Sequence, residues 1–166
     1  MNPRRFIQDH PRPLEWAYRL VDGVFRALDP FIARLGYKRV ERLILPPERI
    51  SKELLFDCRM CGQCILSRTG MTCPMTCPKR MRNGPCGGVR LDSHCEVYPE
   101  RYCIWTDAYR RSLEQPVYGP RILDLHPVVD WQLEGTSAWI NKLTGADQPS
   151  ERCAQSMSTG LVRADE

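Results

Sequence analysis

The sequence predicts a mainly α fold with irregular loops: a small cysteine-rich metal-binding domain flanked by amphipathic helices. Three observations predict it. Apolar residues recur with helical period before residue 48 and again after residue 127. Between these stretches lie eight of the nine cysteines, from Cys58 to Cys103, punctuated by Gly62, Gly70, Pro74, Pro78, Gly84, Pro85, Gly87 and Gly88. So many breakers leave no room there for long regular elements. Hydrophobic residues make up 42% of the 166 residues, aromatics 8%, and mean hydropathy is −0.43, which allows one modest core and excludes a large one.

The elements follow in order. Residues 1–48 form an N-terminal helical arm whose first part, residues 1–12, reads as extended or disordered. Pro13 suits a first helical turn. Trp16, Leu20, Val21, Val24, Phe25 and Leu28 then fall on one stripe. Asp29-Pro30 reads as the cap and first position of a second, short helix with Phe31, Ile32 and Leu35 as its apolar face and Gly36 as its stop. Base rates assign such a stripe to packing on its own domain or a partner subunit rather than to a membrane surface. Residues 49–145 form the cysteine-rich domain, with loops and single turns around metal. A short helix is predicted near Trp105–Leu113, broken by Pro116 and Pro120. A last helix is predicted over 127–143, from Pro127 through Val128, Trp131, Ala138, Trp139 and Leu143, with Gly135 as an interruption and Gly145 beyond its end. Residues 146–166 lack periodicity and read as a disordered tail. Cys153 lies in that tail as a bystander thiol.

Composition excludes several classes. No stretch approaches the length of a membrane-spanning helix. The start, MNPRRFIQDHPRP, has charge and proline but no apolar signal region. The expected location is therefore the cytoplasm, where dense cysteine points to metal rather than to disulfides. A net charge of +4 does not argue for nucleic acid. No Ser/His/Asp arrangement, HExxH, GxGxxG or phosphate-binding GxxxxGK[ST] occurs. With His10, His94 and His126 alone, a histidine-based active site is not supported, and the chain reads as a cofactor carrier.

The chemistry lies in the cysteines. Cys58, Cys61 and Cys64 are separated by two residues each, and Cys73-Pro74 and Cys77-Pro78 follow. A zinc site takes cysteines in pairs. Three thiolates at this spacing fit an iron–sulfur cubane better, although the next cysteine comes later than in bacterial ferredoxins. Cys86 sits in Asn83-Gly84-Pro85-Cys86-Gly87-Gly88, a turn that brings backbone N–H groups close to a metal centre. Cys95 and Cys103 complete eight ligands, enough for two four-cysteine sites holding two 4Fe–4S clusters, two zinc ions or one of each. From Cys58 to Leu91 there are six basic residues (Arg59, Arg68, Lys79, Arg80, Arg82 and Arg90) and no Asp or Glu. Such a field offsets the charge of an anionic cluster. The same charges suit a solvated face, or a basic zinc ribbon on nucleic acid. Against the ribbon, no aromatic residue lies between Cys58 and Cys95 to stack on a base. His94 is a possible replacement ligand, with a surface role the plainer reading.

The run Cys73-Pro-Met-Thr-Cys77-Pro-Lys-Arg-Met-Arg-Asn83-Gly-Pro-Cys86-Gly-Gly, followed by Cys95-Glu96-Val97 and Cys103-Ile104-Trp105, resembles the methylenetetrahydrofolate reductase C-terminal-like domain. Trp131-Gln-Leu-Glu-Gly-Thr-Ser-Ala-Trp139-Ile-Asn141 is similar to that family's last segment. The resemblance covers about residues 50–145. It implies a small iron–sulfur accessory subunit, without activity of its own, working with a flavin-containing TIM-barrel methylenetetrahydrofolate reductase. Flavin and folate would then be on that partner. It carries a metal-ligand role to Cys58, Cys61, Cys64, Cys73, Cys77, Cys86, Cys95 and Cys103. Two 4Fe–4S clusters exchanging electrons with the partner's flavin, in one-carbon metabolism, is the first expectation. A zinc-stapled structural subunit is the alternative. The sequence leaves open the grouping of the eight cysteines, iron against zinc, the potentials, the electron donor, the direction of flux, and the roles of residues 1–48 and Cys153.

Overall fold

The computed structural model describes residues 3–148; Cys153 and most of the expected tail lie outside them. Among the described residues five α-helices carry the fold: α1 (Pro3–Gln8), α2 (Pro11–Leu35), α3 (Tyr37–Phe56), α4 (Ile104–Ser112) and α5 (Ala138–Thr144). Among the described residues there is no strand, only the isolated bridges Val89–Cys95 and His94–Tyr102. The predicted class, mainly helical with irregular loops, is the observed one.

The N-terminal reading needs two corrections. The first concerns residues 1–12, expected to be extended or disordered, where Pro3–Gln8 is helical. Arg111 explains the difference. Its side chain is 2% exposed. It donates from Nε and Nη2 to the Asp9 carboxylate at 3.0 and 2.9 Å, and from Nη1 to Gln8 Oε1 at 3.3 Å and Thr72 Oγ1 at 2.8 Å. A buried guanidinium must find acceptors, and the N-terminal segment supplies three of these four bonds. Second, Asp29-Pro30 does not start a new helix. α2 runs unbroken through Pro30 to Leu35 and turns at Gly36, whose φ of +89° suits glycine. Asp29 instead accepts a hydrogen bond from Tyr37 Oη at 2.9 Å, bracing the turn into α3. α3 then continues past residue 48 to Phe56, through Pro46 and Pro47. Gln8 Nε2 donates to the Leu55 carbonyl at 2.8 Å, so α2 and α3 fold back as a hairpin.

α2 is turned inside out relative to an ordinary surface helix. Its buried residues include Glu15 and Asp22. Glu15 accepts from the backbone N–H groups of Val117 and Tyr118 at 3.2 and 2.6 Å. Asp22 pairs with Lys142 at 2.5 Å and Arg26 at 3.0 Å. Its apolar residues Trp16, Leu20, Val24, Leu28, Phe31 and Leu35 are exposed, Trp16 at 67%. Phe25 is the member of the predicted stripe that packs inward, stacked on Trp139 of α5 at 5.2 Å.

The predicted helix near Trp105–Leu113 is present as α4. The helix predicted over 127–143 is present only in its last third. Asp130 caps a single turn at Trp131–Leu133. Gly135 (φ +82°) then donates its N–H to the Met60 carbonyl at 2.8 Å, and Ser137 caps α5. Backbone groups of this stretch are committed to the cysteine loops rather than to a continuous helix. Trp139 is thereby core, whereas Trp131 and Val128 are exposed. Gly145 ends α5 in the left-handed region, as expected. Among the described residues more polar than hydrophobic ones are buried, and Cys103, Trp105 and Ala108 form a small core cluster with Met81, Val89 and Ile122 against it.

Candidate metal centre

α3 ends at Asp57, and the chain enters a loop with three left-handed residues: Asp57 (φ +51°), Met60 (φ +47°) and Gly62 (φ +72°). These turns curl the two-residue spacing so that Cys58, Cys61 and Cys64 line one cavity. A second turn, through Gly70 and Met71 (φ +54°), returns the chain and adds Cys73 to the same cavity. The C-terminal segment clamps the loop from outside. Asn141 Nδ2 donates to the Gly62 carbonyl at 2.9 Å, and Gln63 Oε1 accepts from Asp130 N–H at 2.8 Å. A Cβ on Gly62 would run into the Leu133 carbonyl, so only glycine fits.

Cys77, Cys86, Cys95 and Cys103 line a second cavity, walled by Val89, Val97, Tyr102, Ile104 and Trp105. The bridges and the bonds Cys95 N–H to Arg101 O (3.0 Å) and Cys103 N–H to Ser93 O (2.9 Å) hold Cys95 and Cys103 in place. Cys103 is the N-cap of α4, and Trp105 Nε1 donates to the Met81 carbonyl at 3.0 Å. The eight cysteines thus divide four and four, in sequence order and without interleaving. None of the eight forms a disulfide.

The first cavity carries a charged wall that sequence reasoning missed. Glu48 and Lys52 of α3 line it, and both are buried. Lys52 donates to Glu48 Oε1 at 2.5 Å, Ser137 Oγ donates to Glu48 Oε2 at 2.5 Å, and Ala138 N–H donates to Oε1 at 3.2 Å. Glu48 therefore ties α3 to the start of α5. Its i,i+4 spacing to Lys52 was visible in the sequence, but such pairs usually sit on exposed faces. Burial disfavours the Lys52 ammonium, yet the Cys64 and Cys58 sulfurs and the Glu48 carboxylate hold its pKa above the ordinary lysine value.

The thiols respond in kind. A hydrogen bond with Cys73 brings Cys58 down to about 7 against its burial, with help from Met60 N–H at 3.3 Å and from Lys52. Cys73 is pushed up by that bond and by burial, and Cys64 by burial. Of the six basic residues in the cysteine segment, Arg82 alone is buried, and it borders this cavity. Lys79 pairs with Glu96 at the second cavity, while Arg59, Arg80 and Arg90 are exposed. His94 is not among the residues lining either cysteine cavity; it stacks on Tyr102 at 4.4 Å beside Asp92.

Comparison with curated proteins and with solved structures returned no match. A family model described as the methylene-tetrahydrofolate reductase C terminal matches residues 37–132. That span is more than half of the chain and holds α3, the Glu48–Lys52 pair and all eight cysteines of the two cavities, so the chain belongs to the methylene-tetrahydrofolate reductase C-terminal family.

Proposed function

We propose that this chain is an electron-transfer accessory subunit carrying two 4Fe–4S clusters, working with the flavin of a methylenetetrahydrofolate reductase. The observation that carries the reading is the division of the cysteines, with Cys58, Cys61, Cys64 and Cys73 around one cavity and Cys77, Cys86, Cys95 and Cys103 around the other. The donor set fits the group, since a cubane takes four thiolates, one at each iron. Each such cluster supplies a one-electron relay when bound. The chain's own residues set its surroundings. Lys52 and Arg82 place positive charge beside the first cavity, which favours an anionic centre and its further reduction. Val97, Tyr98, Tyr102 and Trp105 wall the second cavity with apolar surface.

The exposed apolar stripe of α2 supports a partner, because a contiguous face of this kind marks an interface. α5 adds nothing to this face, since Trp139 and Ile140 are buried within the chain. The flavin-containing TIM-barrel subunit is the proposed partner, and it rests on family membership.

The alternative is a zinc-stapled structural subunit. A zinc ion needs its sulfurs about 2.3 Å from one point. Four thiolates suit either metal, and the run Cys58, Cys61 and Cys64 at two-residue spacing favours the cluster reading. Anaerobic purification with iron, acid-labile sulfide and zinc quantified together decides between them. Iron and sulfide at about eight each per chain are expected. Cys61→Ser and Cys95→Ser should each remove about half of the iron. Zinc near two per chain with little iron would establish the alternative. Rapid mixing with the reduced flavoprotein, followed by cluster absorbance, tests the electron exchange.

A further inference from the structure

A third cavity, of about 320 Å³, shares Gln63, Cys64, Ile65 and Arg82 with the first cysteine cavity but is otherwise lined mainly by cationic and polar residues. Arg26, Arg68, Arg82, Arg121 and Lys142 line it, with Tyr18, Tyr118 and His126 among its other walls. Three carboxylates answer these five cations. Asp22 pairs with Arg26 and Lys142, Asp124 lies 3.6 Å from Arg68, and Asp147 lines the cavity itself. Two positive charges are left over. Among the described residues, no carboxylate forms an ion pair with Arg82 or Arg121.

Arg82 is the telling residue. It is 8% exposed, and only its Nη2 is used, donating to the Gln63 carbonyl at 2.8 Å. Its Nε and Nη1 are buried with no hydrogen-bond partner. Buried guanidinium groups are otherwise satisfied, and a planar fork with unused donors is the geometry that recognises an oxyanion. Burial and the neighbouring Arg68 and Arg82 cations depress the His126 pKa, so a neutral imidazole faces the same space. Arg121 lies over the Tyr118 ring at 5.3 Å, which holds its guanidinium at the rim.

We propose that this cavity is a binding site for a small molecule bearing a doubly negative oxyanion group, a phosphate or a pair of carboxylates. The surplus of two positive charges matches a dianion. The enclosed volume is that of a small-ligand site. A polymer backbone would not reach a guanidinium that lies inside the wall. The site shares Arg82 and Cys64 with the wall of the first cysteine cavity, although none of its donors is a cysteine.

Titration calorimetry of the full chain, as purified anaerobically and at fixed ionic strength, tests it with inorganic pyrophosphate and citrate as separate probes. Saturable binding of at least one probe, tighter than about 1 mM, is expected. The two arms distinguish phosphate from carboxylate recognition. Arg121→Gln, at an exposed rim position that burdens folding little, should weaken binding about tenfold, and Arg68→Gln with Arg121→Gln should abolish it. Arg49→Gln, an equal charge change on the outer face of α3, should leave it unchanged. Absence of saturable binding by either probe overturns the proposal. Equal weakening by Arg49→Gln and Arg121→Gln would reduce the effect to net charge and overturn it as well.

Discussion

Replacing Glu48 by Ala removes the acceptor of three hydrogen bonds at once: Lys52 Nζ at 2.5 Å, Ser137 Oγ at 2.5 Å and Ala138 N–H at 3.2 Å. The Glu48 side chain is 2% exposed and that of Lys52 10%, so water does not take over. Removing one partner of a buried ion pair costs about 3–5 kcal/mol, because the other charge is left uncompensated. Lys52 keeps some compensation from the face of Trp139, 5.1 Å away, and from the Cys58 and Cys64 sulfurs. The lower end, about 3 kcal/mol, is therefore expected. For a chain of this size that lowers Tm by ~6–12 °C. Far-ultraviolet circular dichroism during anaerobic heating measures it. The double variant Glu48→Gln/Lys52→Met removes both charges and should recover at least half of the loss, since a neutral pair of similar volume avoids the cost of burying two charges. A Tm change below ~2 °C in Glu48→Ala, or a double variant no better than the single one, would refute the assignment of Glu48 as the tie between α3 and α5.

Gly62→Ala should destabilise by ~2–3 kcal/mol, from a left-handed alanine and its collision with the Leu133 carbonyl, with faster proteolysis around residues 131–137 as the readout. Asp9 gives a pH dependence: burial opposes its charge, but hydrogen bonds from Arg111 and Arg110 outweigh burial and hold its pKa below 3.8. A carboxyl with a depressed folded pKa contributes fully above its unfolded pKa and loses that contribution as pH falls through the folded one. Protection of α1 against hydrogen exchange, relative to the intrinsic rate at each pH, should therefore fall below about pH 4, and Asp9→Asn should show the lowered protection already at pH 7. On the proposed cluster reading, stripping metal by chelation should release residues 58–103, whose apolar content is too small to offset chain entropy. It should also loosen residues 130–141, which clamp the Gly62–Gln63 turn, while α2 and α3 retain part of their helical signal. Unchanged exchange across 58–103 after metal removal would count against the argument.

The helical class, the turn at Gly36, α4 and the eight-cysteine segment were legible because each depends on local pattern: periodicity, breakers and spacing. Where backbone bonds are committed to distant partners, local pattern misled. Pro30 reads as a start but lies mid-helix. Residues 127–143 read as one helix, yet Gly135 spends its N–H on Met60, seventy-five positions earlier in the chain. Residues 1–12 read as extended or disordered because nothing near them announces Arg111. The candidate site divides the same way. Which residues bear the thiols follows from the chain alone, but their grouping depends on left-handed backbone at Asp57, Met60, Gly62, Gly70 and Met71 and on closure by the far segment, which no spacing encodes. The outward stripe of α2 is the clearest instance. Its period is helical in the sequence, but which face meets the core was decided by Glu15 and Asp22 finding buried partners, and a hydrophobic pattern holds no information about buried charge.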